Sequence, residues 1–161
     1  MPKKTKGVIL LIVWFIWAAI KDISSLVRPS TATDHAILSS AGLGGLFFVM
    51  ALVIFVLNTA SVVFLLRPRR AGIFILFNAL VAATVQGTFT IAAALTNLPG
   101  AREAYMHSKR QQGLPVRAEA LNSIFTSGTL TIAWAMMLAF YAGVAFIVYR
   151  NKAYFQAHTA T

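Results

Sequence analysis

The sequence predicts an all-α integral membrane protein, a four-helix bundle of antiparallel up-down spans with both termini on the same side. Three observations lead there. Hydrophobic residues make up 58% of the 161 residues and charged residues only 11%, where a soluble domain carries about 25% charged. The apolar residues fall into four runs, each near the roughly 20 residues that one bilayer crossing needs. The basic residues sit in small groups at the ends of those runs, as topology signals do. Four crossings leave only short connections, so the chain reads as a single membrane domain over residues 1–161.

The first span reads from Thr5 to Val27. Lys3, Lys4 and Lys6 before a bulky apolar run resemble the start of a secretory signal, but Lys21-Asp22-Ile23-Ser24-Ser25 offers no small-residue cleavage site, so the span is expected to be retained. Lys21 and Asp22 fall near its far end. They read as an interfacial charge pair whose lysine snorkels to the headgroups, with a functional pair inside the bundle as the other reading.

Arg28-Pro29-Ser30-Thr31 ends that helix, because proline lacks an N–H and disfavours helix at the residue before it. A short polar connection to about Ser40 follows. The second span covers 41–66 without a charge and opens on Gly42, Gly44 and Gly45. Arg67-Pro68-Arg69-Arg70 forms a tight basic turn, and its three arginines read as topology signals in contact with lipid headgroups. The third span, 71–98, is also uncharged and stops at Pro99-Gly100. The longest loop, 99–123, allows short surface helices at Arg102–Arg110 and again before the fourth span, with Gly113 and Pro115 between them. That last span runs over 124–148, followed by Tyr149-Arg150-Asn151-Lys152.

Orientation follows from Lys and Arg counts. The N-terminus, the 67–70 turn and the C-terminus hold eight of the 14, and the opposite side holds six together with all four acidic residues. The excess favours both termini in the cytoplasm of an inner-membrane protein.

Polar residues inside the spans are the site candidates. Asn58 and Asn78 lie at nearly equal distances from the basic turn, so an amide contact between the second and third spans is expected, worth roughly 0.6 to 2 kcal/mol. On the third span, Ala79, Ala82, Ala83, Gln86, Thr90, Ala93 and Asn97 share a stripe, while Phe77, Leu80, Ile91 and Leu95 fall on other faces. Ser127, Thr131, Ala135, Ala139 and Ala142 or Gly143 form a stripe on the fourth. Small residues let helices approach closely, so these two stripes are expected to pack together. Asn58, Asn78, Gln86, Thr90 and Thr131 are thus helix-packing residues, or else the lining of a polar path between protomers.

Several chemistries lack their residues. With no cysteine there is no disulfide, thiolate metal site or thiol nucleophile. His35, His107 and His158 lie in connections or the tail without metal-ligand spacing, so no metal or haem is expected. No Asp or Glu stands in the middle of a span, Asp22 coming nearest, which argues against a carboxylate-driven carrier. There is no phosphate-binding glycine loop and no catalytic triad, and no enzyme, cofactor or catalytic residue is expected. The net charge of +10 does not point to nucleic acid, because the aromatics belong to the spans and leave no stacking platform beside the basic groups.

The expectation is a non-catalytic membrane protein, an accessory or structural subunit of an inner-membrane assembly. Its partners would be lipids and other membrane subunits, or further copies of itself. A small homo-oligomeric transporter or channel is the alternative, and lipid binding through Arg67, Arg69 and Arg70 a third.

Overall fold

The computed structural model describes residues 5–156; Lys3, Lys4 and His158 lie outside them. The chain is all-α, with no strand among the described residues. Four helices are long and apolar enough to cross a membrane: α1 (Lys6–Val27), α3 (Gly44–Leu66), α4 (Ala71–Thr96) and α7 (Ser127–Arg150). Four shorter ones join them: α2 (Thr33–Ser40), α5 (Leu98–Gln111), α6 (Ala118–Ile124) and α8 (Lys152–Gln156).

Local chemistry sets the boundaries. The Thr5 hydroxyl caps α1 by accepting from the Val8 N–H at 3.2 Å, and α1 stops before Pro29. The short polar connection expected to about Ser40 forms a 3₁₀ turn at Pro29–Thr31 and then α2. Gly42, at φ +76°, ends α2 in the left-handed conformation that glycine adopts without strain. The second expected span therefore begins at Gly44 rather than at residue 41.

Asn97 ends α4 early and caps α5, its Oδ1 accepting from the Gly100 N–H at 3.0 Å. Pro99, expected to terminate the third span, thus stands in the first turn of α5, where its missing N–H costs nothing. Short helices do occupy the 99–123 connection, as α5 and α6. Thr126 caps α7 by accepting from the Thr129 N–H at 3.1 Å.

The long helices pack in a ring: α1 on α3, α3 on α4, α4 on α7 and α7 back on α1. One apolar cluster joins Val8, Leu11 and Phe15 of α1, Leu65 of α3, Leu76 and Leu80 of α4, and Val144 and Val148 of α7. These residues lie early in α1 and α4 and late in α3 and α7, so neighbouring long helices run in opposite directions. At this end Thr5 donates to Asn151 Oδ1 at 2.6 Å, setting the start of α1 beside the end of α7. Helix α8 folds back beneath the ring, and the buried Tyr154 hydroxyl donates to the Leu65 carbonyl at 2.7 Å.

A second apolar cluster closes the opposite end around Ile37 and Leu38 of α2, Phe47 and Ala51 of α3, Ala93 and Ala94 of α4, and Ala101 of α5. There α2 and α5 lie against each other, with Thr33 and Ser108 hydroxyls 3.1 Å apart and the Gln112 side chain donating to the Thr31 carbonyl at 2.5 Å. Between the two clusters the ring is not filled.

Candidate functional site

The unfilled region is a chamber of about 290 Å³, near the lower end of the roughly 300–1,000 Å³ of small-molecule pockets. Along the long helices its lining residues lie toward the end away from the first cluster: from Trp14 onward on α1, before Leu65 on α3, past Leu80 on α4 and before Val144 on α7. The apolar cluster is therefore the chamber's floor.

Its polar lining comes from five helices. Lys21 and Asp22 belong to α1, Asp34 to α2, Asn58 to α3, Gln86 and Thr90 to α4, and Tyr141 to α7. Asn58, only 3% exposed, donates from Nδ2 to Asp22 Oδ2 at 2.7 Å. The buried Asn58 amide needs such a partner, because a buried polar group left without one is costly, and the half-buried Asp22 carboxylate gains a donor. Thr90, 6% exposed, returns its hydroxyl to the Gln86 carbonyl at 3.1 Å. The Gln86 side-chain amide makes no hydrogen bond among the described residues, so its donor and acceptor are free to meet an occupant.

Aromatic rings make much of the remaining wall. Trp14, Trp17, Phe47 and Tyr141 line it, and Trp14 and Tyr141 meet edge to face with ring centroids 6.3 Å apart. On the side away from the floor the chamber adjoins an outer pocket of about 440 Å³, lined among others by Lys109 and Gln112 of the α5 region. The two spaces share Lys21, Ser25 and Asp34.

No family model, curated protein or solved structure matches this chain. The chamber must be read from its own residues.

Of the site residues read from the sequence, Asn58, Gln86, Thr90, Lys21 and Asp22 come together here, and Asn78 and Thr131 do not. Asn78 is exposed, so the expected contact between Asn58 and Asn78 is replaced by that between Asn58 and Asp22. Equal distance from a turn fixes depth and leaves rotation open. At roughly 100° per residue, Asn78 is turned about a third of a circle from the inward stripe of Gly72, Leu76, Ala79 and Thr90.

The expected pairing of the α4 and α7 small-residue stripes also fails. Ser127, Thr131, Ala135, Ala139, Ala142 and Gly143 are all exposed, and the face of α7 turned inward carries Leu130, Met137, Tyr141, Val144 and Val148. Leu80, expected on another face of the third span, is buried. Helices α4 and α7 touch instead through Met137 against Gly87 and through the Trp134 Nε1–H, which donates to Thr88 Oγ1 at 3.1 Å. Met137 and Tyr141 of α7 line the chamber, so the space lies inside one chain, where the sequence pointed to a path between protomers.

Lys21 and Asp22 part company: the lysine is exposed and the aspartate turns inward to Asn58. Arg67, Arg69 and Arg70 are exposed at the α3–α4 turn, at the floor end and away from the chamber. His35 packs edge to face on Phe47 and Phe48. Asp34, Tyr141 and the tryptophans were not singled out in the sequence. The Leu130, Met137, Tyr141, Val144 and Val148 spacing was the available signal for Tyr141, whereas nothing linear shows that α2 folds over the ring to bring Asp34 to its mouth.

Proposed function

We propose that this chain is a multi-pass inner-membrane protein that binds a small polar solute in the chamber within its four spanning helices and moves it across the bilayer. In this reading α1, α3, α4 and α7 insert as an antiparallel bundle, both termini and the basic 67–70 turn face the cytoplasm, and α2 and α5 lie on the far side. The observation that carries it is the chamber itself, with a carboxylate and two side-chain amides inside a ring whose outer surface is apolar. Polar groups in such surroundings are costly and mark solute or ion pathways more often than they serve as structural filler. Entry is through the outer pocket, since Lys21, Ser25 and Asp34 border both spaces. Movement to the cytoplasm requires the floor around Phe15, Leu65 and Val148 to open.

The test is flux in liposomes containing only this protein, loaded with a mixture of amines, amino acids, polyols and carboxylates read by mass spectrometry. Selective loss of one solute class is expected, abolished by Gln86→Leu. Retention equal to that of empty liposomes overturns the proposal.

The outward small-residue face of α7, which includes Thr131, favours a second reading, an accessory subunit whose α7 packs on a partner helix. Mild-detergent isolation followed by native mass measurement decides it: a stoichiometric unrelated subunit supports this reading and a lone protomer removes it.

A further inference from the structure

Resting on the chamber reading, we infer that the solute is a small organic monocation, an ammonium compound held by the Asp22 carboxylate against the aromatic wall. The charges come first. Asp22, Asp34 and Lys21 border the chamber, which leaves one negative charge in excess. Lys21 is exposed and shares the outer pocket with Lys109, so the charge deeper inside is that of Asp22.

The shape of the carboxylate's surroundings agrees. Asn58 occupies Asp22 Oδ2 through one N–H, and Oδ1 accepts no hydrogen bond among the described residues. A carboxylate in an apolar ring is stabilised further by a cation, and a positively charged donor gives it a stronger bond than a neutral one.

The walls do not suit a divalent inorganic ion. Such an ion takes about six oxygen ligands at short range, and no group of three or more His, Cys, Asp or Glu able to hold a metal stands among the described residues. The faces of tryptophan, tyrosine and phenylalanine attract organic cations instead, tryptophan most strongly. Trp14, Phe47 and Tyr141 line the chamber together with Asp22, and Trp17, itself largely exposed, borders it. The unpaired Gln86 amide and the Tyr141 hydroxyl stand available for a polar tail. A chamber of about 290 Å³ admits a compact amine and excludes a drug-sized one.

The experiment uses the full chain in lipid nanodiscs and reads its intrinsic fluorescence, since two of its three tryptophans line the chamber. The probes are choline, its uncharged isostere dimethylbutanol, and butyrate. A saturable change with choline is expected, with dimethylbutanol and butyrate at least about tenfold weaker. Asp22→Asn should weaken choline by a similar factor, and Asp34→Asn, at the mouth, by less.

Should Asp22→Asn fail to fold, the choline and dimethylbutanol comparison on the unaltered chain still decides. Equal affinity for the two, a preference for butyrate, or no response to any probe overturns the ammonium inference. Liposome flux seen alongside any of these outcomes leaves the chamber reading standing, whereas no flux and no probe binding removes both.

Discussion

The Asn58 amide donates to the Asp22 carboxylate at 2.7 Å across 36 residues of sequence, tying α3 to α1 between the two apolar clusters. Removing the amide leaves the carboxylate without its donor. Asn58→Leu is expected to cost about 1.5–3 kcal/mol, the range for hydrogen bonds to charged groups, read as a lower melting temperature in detergent. Asp22→Asn should cost less, because the new amide oxygen still accepts from Asn58.

Asn78 provides the contrast. It sits on an exposed face of α4, so Asn78→Leu should change stability by no more than about 0.5 kcal/mol. A loss as large as that of Asn58→Leu would restore the amide pair that the sequence suggested.

Packing at the floor end is tight at Gly72. An added Cβ would stand 2.9 Å from Phe64 Cβ and 3.0 Å from the Phe155 ring. Gly72→Ala should therefore destabilise by about 1–3 kcal/mol through overpacking, with α8 released first. Limited proteolysis near Gln156 would report it.

Tyr154 gives a pH signature. Burial raises its phenol above the ordinary 10.0, so its contribution is complete below about pH 10 and is lost as the pH climbs through the raised value. Tyr154→Phe should remove this alkaline component and, by deleting the bond to the Leu65 carbonyl, lower stability by about 1 kcal/mol at neutral pH. Melting curves at pH 8 and pH 11 separate the two effects.

One-sided access is testable because the chain has no cysteine of its own. Ser25→Cys and Gln86→Cys should react with a membrane-impermeant thiol reagent supplied from the α2 and α5 side and resist it from the other. Val144→Cys, in the floor, should resist it from both.

What the sequence made legible was the course of each long helix. Runs such as 41–66 carry no charge and end at proline, arginine or glycine, and both long apolar length and backbone-breaking residues are local properties. Rotation was not legible. The small residues of α7 do share a face, as the spacing implied, but sharing a face does not say whether that face meets a helix or its surroundings. Both sides of α7 are apolar, so hydrophobicity could not break the tie, and the choice fell to the fit of Met137 and Tyr141 against α4 and α1. The inward turn of Asp22 was hidden for a related reason. Its partner is 36 residues away, and no short-range pattern connects them.

That separation has a consequence for biogenesis. In a chain inserted as proposed, α1 leaves the ribosome before Asn58 exists, and at about 5–20 residues per second the carboxylate waits roughly two to seven seconds for its amide. During that interval α1 has either an uncompensated charge or a shallower position in the bilayer. Arrival of α3 then draws Asp22 inward, so the first helix completes its insertion only after the third has been made.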